Sequence, residues 1–115
     1  IELFPLIDNT STLYPTIQYI PYPKVGTTNP AARIGVIHLE SRQITWIPLP
    51  GEARDHYLPR MDWIDSTRVF VQQLNRLQNQ VTVYSVDVTN AKIDILLTEK
   101  DDAWIDVQET IHWLE

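Results

Sequence analysis

Four short segments between Met61 and Leu97 decide the fold of this chain. They are Met61-Asp-Trp-Ile-Asp65, Arg68-Val-Phe-Val-Gln-Gln-Leu74, Gln80-Val-Thr-Val-Tyr-Ser-Val-Asp-Val88 and Lys92-Ile-Asp-Ile-Leu-Leu97. All are rich in β-branched and aromatic residues, and polar turn sequences separate them, which is the pattern of consecutive antiparallel strands. In the last segment the alternation of Ile93, Ile95 and Leu97 with their neighbours predicts one apolar inward face.

The second segment is apolar on both sides, and the third carries apolar residues on both sides as well. In the second, Val69 and Val71 would point to one side of a strand and Phe70 and Leu74 to the other. A sheet with two apolar faces needs cover on both. Because four antiparallel strands packed between similar sheets form a propeller blade, the sequence predicts an all-β propeller segment of about two four-stranded antiparallel blades. A small, self-contained β-sandwich is the alternative.

An internal repeat supports the propeller. Sliding the sequence by about 49 residues places 34–39 beside 83–88 and 44–47 beside 93–96 without a gap. A period of about 50 residues suits propeller blades better than most helical repeats. We expect an edge arm with a proline-rich connection over 1–30, the latter half of one blade over 31–57, a complete blade over 58–98, and a loop with the first strand of the next blade over 99–115.

Composition limits the possible functions. The 115 residues suffice for one domain, and the net charge of -6 without a basic run argues against nucleic acid as a partner. There is no cysteine, which excludes disulfide frameworks and thiolate chemistry. No apolar run approaches the roughly 20 residues of a membrane helix. Since the chain does not begin with methionine, we expect it to be a piece of a longer protein.

No residue pattern indicates catalysis or a cofactor. None of the four serines has the adjacent glycine of a nucleophile elbow. His38, His56 and His112 lack metal-binding spacing, and His38 and His112 are expected within strands as structural residues. The four tryptophans are expected to pack between blades: Trp46, Trp63, Trp104 and Trp113. We predict no metal, no cofactor and no catalytic residue in this chain.

An acidic cluster surrounds Trp104, formed by Asp101, Asp102, Asp106 and Glu109. A calcium site needs about six to eight oxygen ligands with a glycine turn, and that spacing does not occur here. A solvated loop rim is the simpler interpretation. The sharper hypothesis is that this rim favours the ammonium group of a peptide N-terminus.

Three ordered stretches resemble a known family: Ile20-Pro-Tyr-Pro-Lys-Val-Gly-Thr-Thr-Asn-Pro30, Gln73-Leu-Asn-Arg-Leu-Gln-Asn79 and Asp101-Asp-Ala-Trp-Ile-Asp-Val107. Together they resemble the N-terminal propeller of the dipeptidyl peptidase IV-like serine peptidases of the prolyl oligopeptidase group. Their residues resemble those of bacterial members more than those of animal members. The residues that match the family motifs are expected to be structural: Tyr22, Pro23, Lys24, Gly26, Asn29, Pro30, Asn75, Arg76 and Asn79.

The resemblance implies an eight-bladed propeller above an α/β-hydrolase domain that removes dipeptides whose second residue is proline or alanine. The family's catalytic residues lie beyond this chain. The arm residues Phe4, Leu6 and Ile7 resemble the start of a dimerisation arm, which implies a homodimer. Trp104, Asp106, Gln108 and Glu109 fall in a loop that reaches toward the substrate cleft. Some members carry an aromatic residue and an arginine where this chain has Gln108 and Glu109.

The predicted function is therefore that of a non-catalytic propeller segment. It would help to gate and orient peptide N-termini for a hydrolase domain outside this chain, with the peptide substrate and the rest of the propeller as its partners. The resemblance implies a bacterial periplasmic, cell-envelope or secreted location. The alternative from another class is a free-standing β-rich module that binds peptide or protein by strand addition at an exposed edge.

Overall fold

The computed structural model describes residues 2–113, and within this range every regular element is a strand. The strands are β1 (Leu3–Asp8), β2 (Thr16–Pro21), β3 (Ile34–Ile37), β4 (Ile44–Ile47), β5 (His56–Trp63), β6 (Arg68–Asn75), β7 (Gln80–Asp87) and β8 (Lys92–Lys100). They form three antiparallel sheets: β1 with β2, β3 with β4, and β5 to β8 in sequential order. The predicted all-β class and the four-strand meander are confirmed. The chain divides into two compact units, one ending at Pro30 and the other starting at Ala31.

The hairpin of β1 and β2 accommodates prolines because of their register. The N–H of Tyr22 donates to the carbonyl of Glu2 at 3.2 Å, and Leu3 is paired with Pro21. Even-numbered residues of this hairpin therefore turn their backbone groups toward the partner strand. Pro5 and Pro21 fall at odd positions, where a missing N–H removes no bond from the ladder.

One face of the four-stranded sheet packs against the β3–β4 hairpin. Val71 of β6 and Tyr84 and Val86 of β7 form a buried cluster with Ile47 of β4, and Ile34 of β3 packs against it. These side chains lie on one face because Val71 is paired with Tyr84 across the ladder. The cover that the sequence predicts for this face is thus provided by the preceding hairpin.

The opposite face is covered by the segment after β8. Leu74 of β6 and Val81 of β7 form a second buried cluster with Ile105. The ring of Phe70 lies 5.8 Å from the ring of Trp113. Both faces of β6 and β7 are therefore packed, as the apolar residues on both sides predict.

A polar network links the two sheets of the larger unit. His56 is buried, and its Nε2 lies 3.1 Å from the carbonyl of Ala32. Since a carbonyl only accepts, Nε2 carries the proton, and His56 Nδ1 accepts from Gln73 Nε2 at 2.9 Å. The hydroxyl of Tyr84 donates to Gln73 Oε1 at 2.9 Å. His56 is therefore a satisfied structural histidine that fixes the start of β5 against the residues before β3.

The internal repeat is visible in the register of the hairpins. Ile37 is paired with Ile44, and their counterparts in the repeat, Val86 and Ile93, are paired in the same way. The correspondence holds for three successive pairs and ends at Leu96, which is skipped by a register shift between β7 and β8. Two hairpins with the same register, about 49 residues apart, are what successive propeller blades require.

The predicted inward face of β8 is wrong beyond Ile93. Ile95 and Leu97 are 65% and 55% exposed. The register shift at Leu96 is a β-bulge, so Leu97 lies on the face opposite to that of Ile93 and Ile95. As the last strand, β8 also has only one ladder partner among the described strands, which leaves much of its apolar surface uncovered.

The region 99–115 also differs from its prediction. Glu99 and Lys100 belong to β8, the described residues 101–113 contain no strand, and 114–115 lie outside the described residues. A strand needs a ladder partner, and no other described segment pairs with 101–113. His38 lies one residue beyond β3 and His112 outside any strand, so their predicted placement within strands is wrong.

The four tryptophans were expected to pack between blades, but they are not buried. All four remain 42–56% exposed: Trp46, Trp63, Trp104 and Trp113. Trp46 lies on the outer face of β4, where the guanidinium of Arg33 stands 4.8 Å from its ring. That face is not covered by another part of the described chain, because the packed face of the same hairpin carries Ile34 and Ile47.

Candidate functional site

The tip of the β6–β7 hairpin is built by two asparagines of the family motif. Asn75 Oδ1 accepts hydrogen bonds from the backbone N–H groups of Asn79 and Gln80, both at 3.0 Å. Asn75 Nδ2 donates to Asn79 Oδ1 at 2.8 Å. Gln78 has a φ of 58°, a left-handed conformation that the asparagine bonds hold in place. Asn75 thus satisfies two N–H groups of the turn.

Arg76 connects the same tip to the segment before β5. Its backbone N–H donates to the carbonyl of Asp55 at 3.1 Å, and its guanidinium lies 3.7 Å from the Asp55 carboxylate. Both side chains are largely exposed, so the ion pair itself contributes little. The backbone bond ties the hairpin tip to the segment before β5.

The loop of residues 101–109, named here the cleft loop, is fastened to this tip. The N–H of Asp101 donates to the carbonyl of Asn79 at 3.0 Å, and the N–H of Ile105 donates to the carbonyl of Gln78 at 2.9 Å. The indole N–H of Trp104 donates to Gln78 Oε1 at 3.2 Å. Three bonds to two consecutive residues of the tip thus set where the cleft loop begins.

Side-chain contacts hold the rest of the cleft loop. Ile105 is 7% exposed and packs against Leu74 and Val81, with Val107 at the edge of the same cluster. Further along, the buried Gln72 of β6 donates from Nε2 to the carbonyl of Gln108 at 3.1 Å. The loop therefore follows the face of the sheet as a defined strap.

A groove of about 440 Å³ opens between the cleft loop and the sheet. Its charged lining residues are Asp106 and Glu109 from the loop and Arg60 from β5. Trp104 and Leu74 contribute to an apolar wall. All three charged side chains are exposed. An apolar wall with two carboxylates at the rim suits a peptide segment that carries a positive charge.

The predicted cleft residues separate into two groups. Trp104, Asp106 and Glu109 line the groove, whereas Gln108 does not, and its carbonyl is bound by Gln72. Three further residues were not predicted from the sequence, and they contribute from β5, the hairpin tip and β6: Arg60, Gln78 and Gln72. A polar residue in the middle of an apolar strand was the available signal for Gln72.

The predicted arm residues lie on different faces of the β1–β2 hairpin. Phe4 is half-buried, with Lys24 Nζ 4.4 Å from its ring centroid and the ring of Tyr22 at 5.8 Å. Leu6 shares the face of Phe4, whereas Ile7 lies on the other face and is 69% exposed. That second face is apolar throughout: Leu3, Pro5, Ile7, Ile17, Tyr19 and Pro21.

The Tyr-Pro-Lys motif continues into a tight turn. The N–H of Thr27 donates to the carbonyl of Lys24 at 3.0 Å, and Gly26 has a φ of 84°. Glycine at the third position of such a turn is the residue that adopts positive φ without steric cost. Asn29 is half-buried and Pro30 ends the smaller unit, so the described motif residues of this unit have structural surroundings.

An Asp-x-Thr sequence closes three turns, at Asp8, Asp65 and Asp87. In each, the carboxylate accepts the N–H of the threonine two residues on, at 3.1, 2.9 and 2.8 Å respectively. Hydrogen bonds from the Thr67 N–H and the Arg68 side chain lower the pKa of Asp65 to about 2. The Ser11 hydroxyl and the N–H of Thr10 lower the pKa of Asp8 to about 2, and the Thr89 hydroxyl and N–H lower the pKa of Asp87.

The two shifted groups of the larger unit, Asp65 and Asp87, mark turns and lie away from the groove. Asp65 joins β5 to β6 and Asp87 precedes the turn into β8, so both are at the end of the sheet opposite to the β6–β7 tip. Within residues 2–113, no group of three or more histidines and carboxylates has the geometry to hold a metal ion. A search of the described residues also finds no helix long and apolar enough to cross a membrane.

Comparison with known proteins identifies relatives. Inactive dipeptidyl peptidase 10 of Rattus norvegicus is 30% identical over 102 residues, which cover 86% of this chain and 13% of that protein. A probable dipeptidyl peptidase 4 of Aspergillus flavus is 30% identical over 98 residues, covering 81% of this chain and 13% of that protein. The chain thus spans about one eighth of these curated relatives. Because relatives occur in mammals and fungi, they do not support the predicted bacterial origin.

The crystal structure of Porphyromonas gingivalis dipeptidyl peptidase 4 superposes with a TM-score of 0.81 at 24% identity, over 92% of this chain and 15% of that one. This match shows the fold. The model of the family described as the dipeptidyl peptidase IV N-terminal region matches residues 1–115. The chain therefore belongs to the dipeptidyl peptidase IV N-terminal region family, as a segment of its propeller.

Proposed function

We propose that this chain is a non-catalytic propeller segment of a serine dipeptidyl peptidase. In the full-length protein it would form part of the wall that admits small peptides and orients N-termini of the type Xaa-Pro or Xaa-Ala. The hydrolysis itself would take place on an α/β-hydrolase domain outside this chain. Membership of the family and the names of several relatives as dipeptidyl peptidases support this proposal.

The groove beside the cleft loop is the observation that carries the orienting role. Asp106 and Glu109 contribute two carboxylates to a groove of mixed polar and apolar lining, and the cleft loop that bears them is fastened to the hairpin tip by three hydrogen bonds. Negative charge on a fixed support attracts the ammonium group of a peptide N-terminus. Arg60, which lines the same groove from β5, would repel that group and so bias it toward the carboxylates of the loop.

The test is charge removal in the full-length protein. Asp106→Asn and Glu109→Gln should each raise the KM for a dipeptidyl chromogenic amide by up to about fivefold and leave kcat unchanged, because exposed charge pairs contribute about 0.2–1 kcal/mol. Asp102→Asn is the matched control, since Asp102 is an exposed carboxylate of the same loop that does not line the groove. Unchanged KM values in both groove variants would remove the orienting role.

The chain alone should have no peptidase activity. The purified 115-residue chain is expected to leave a Gly-Pro chromogenic amide intact at concentrations where the full-length protein cleaves it. Hydrolysis by the isolated chain that survives further purification would contradict the non-catalytic assignment.

A second candidate follows from the names of two relatives. The rat and mouse proteins among them are called inactive dipeptidyl peptidase 10, so a full-length protein of this kind without peptidase activity is the alternative, with the propeller as an interaction module. Assay of the full-length protein on Xaa-Pro and Xaa-Ala amides separates the two. Absence of turnover with an intact fold would favour the interaction module.

The arm gives the dimer proposal a specific face. Leu3, Ile7, Ile17 and Tyr19 are each more than half exposed on one side of the β1–β2 hairpin, and a homodimer would bury this face. Ile7→Lys in the full-length protein should shift its mass in solution from dimer to monomer, whereas an unshifted dimer would exclude the face.

We also propose a periplasmic, cell-envelope or secreted location, which fractionation of the source cells tests: recovery in the cytosolic fraction would exclude it.

A further inference from the structure

Gln72 is a polar side chain in an apolar setting. It lies in the middle of β6 and is 1% exposed. Phe70 and Leu74 flank it on the same face of the strand, and its ladder partners are Val83 of β7 and the exposed Arg60 of β5. Phe70, Leu74 and Val83 are buried hydrophobic residues, so the pattern of the strand calls for an apolar residue at this position.

The amide of Gln72 is only half satisfied. Its Nε2 donates to the carbonyl of Gln108, 36 residues further along the chain, at 3.1 Å. Its Oε1 is buried and no donor among residues 2–113 reaches it. Gln72 also borders a groove of about 300 Å³ between the sheet and the segment of Gln108 and Ile111.

This arrangement is costly for stability. An unpaired buried carbonyl oxygen costs about 1–3 kcal/mol, whereas one hydrogen bond contributes about 0.5–1.5 kcal/mol. A methionine of similar length would fill the same space without an unpaired polar atom. What the glutamine provides and a methionine would not is its single hydrogen bond, which holds the carbonyl of Gln108 next to Glu109.

We propose that Gln72 is a positioning residue that fixes the far end of the cleft loop and thereby sets the place of Glu109 at the groove. The inference deepens the proposed function and rests on it for the catalytic consequence. The near end of the loop is held by the hairpin tip, through the bonds of Trp104 and Ile105 to Gln78. Gln72 supplies the second support, from a different strand.

The test uses Gln72→Met in the full-length protein. Its melting temperature should stay equal or rise, because the unpaired oxygen is removed. Backbone amide exchange over 107–111 should accelerate about fivefold, which corresponds to the loss of a bond of about 1 kcal/mol. The KM for a dipeptidyl amide should rise while kcat stays constant. Gln72→Asn, whose amide is one carbon too short to reach the Gln108 carbonyl, should accelerate exchange and raise KM in the same way, but it should lower the melting temperature because an unpaired amide stays buried.

Val71→Ala is the matched control. Val71 is the adjacent residue of β6, is equally buried, and points to the opposite face. It should lower the melting temperature and leave exchange over 107–111 at the wild-type rate. If the role of Gln72 were only structural, Gln72→Met would behave like Val71→Ala, with a lower melting temperature and wild-type exchange over 107–111. That result would overturn the inference.

The two proposals fail separately. Faster exchange over 107–111 in Gln72→Met with an unchanged KM would support the positioning of the loop by Gln72 and count against the orienting role of the loop. Unchanged exchange with a lowered melting temperature would overturn the positioning role, whatever the kinetics of the groove variants Asp106→Asn and Glu109→Gln.

Discussion

Truncation of Ile105 should release the cleft loop from the sheet. Ile105 is 7% exposed and packs against Leu74 and Val81, and its N–H donates to the carbonyl of Gln78. Ile105→Ala removes three carbon atoms, each contributing about 0.8 kcal/mol when buried, so the loop loses about 2.4 kcal/mol of attachment before any cavity is counted. Ile105→Val removes one carbon and should cost about 0.8 kcal/mol.

Hydrogen–deuterium exchange measures this loss directly, because the amide of residue 105 exchanges only when the loop opens. A loss of 2.4 kcal/mol corresponds to about 60-fold faster exchange in Ile105→Ala, and 0.8 kcal/mol to about fourfold in Ile105→Val. Amides of β3 (Ile34–Ile37), which belongs to the other sheet of the larger unit, should keep their wild-type rates. Exchange accelerated less than about fivefold in Ile105→Ala would refute the buried attachment of the loop.

Three further predictions follow from local geometry. Asn75→Ala deprives two backbone N–H groups of their acceptor and should destabilise the β6–β7 hairpin by about 1–3 kcal/mol. Asn75→Asp keeps the acceptor and should cost less. Equal losses of unfolding free energy in denaturant titrations of the two variants would contradict this. The pKa values of Asp8 and Asp65 are lowered from 3.8 to about 2, so their stabilising effect is complete above pH 4 and is lost as the pH falls toward 2. Asp65→Asn should flatten acid unfolding curves in that window, and curves identical to wild type would exclude the contribution of Asp65. Gly35→Ala would place a Cβ 3.1 Å from the ring of Trp46. The ring should therefore turn away, and the tryptophan fluorescence emission should change. An unchanged emission spectrum would contradict this.

Much of the fold could be predicted from the sequence because strand formation and repeats leave local signals. Apolar residues on both sides of β6 predicted a sheet covered on both faces, and the clusters around Val71 and Leu74 confirm it. The offset of about 49 residues predicted equivalent hairpins, and the pairs Ile37 with Ile44 and Val86 with Ile93 have the same register.

The errors lie where pairing with another segment decides the outcome. The alternation in β8 predicted one inward face, but the bulge at Leu96 turns Leu97 to the other side. A bulge arises from the fit between two strands and leaves no mark in the alternation of one. The strand expected within 99–115 is absent from the described residues 101–113 for the same reason, since a strand exists only with a partner.

The residues of the candidate site also divide into those that the sequence identified and those that it did not. The cleft-loop residues Trp104, Asp106 and Glu109 were identified from a contiguous stretch of sequence, through its resemblance to a family. Arg60 and Gln72 were not, because they reach the loop from strands that are distant in sequence.

By itself, the sequence determined the strand periodicity, the polar turns between the strands and the family of this chain, because each of these depends on neighbours along the chain or on motifs in a fixed order. Only the tertiary structure decided the bulge in β8, the two supports of the cleft loop and the half-satisfied amide of Gln72. The bulge depends on how β8 fits against β7, and the loop supports depend on atoms that meet across 26 and 36 residues of the chain. Hydrogen bonding and burial act at distances of a few ångströms in space, and folding alone brings such segments together.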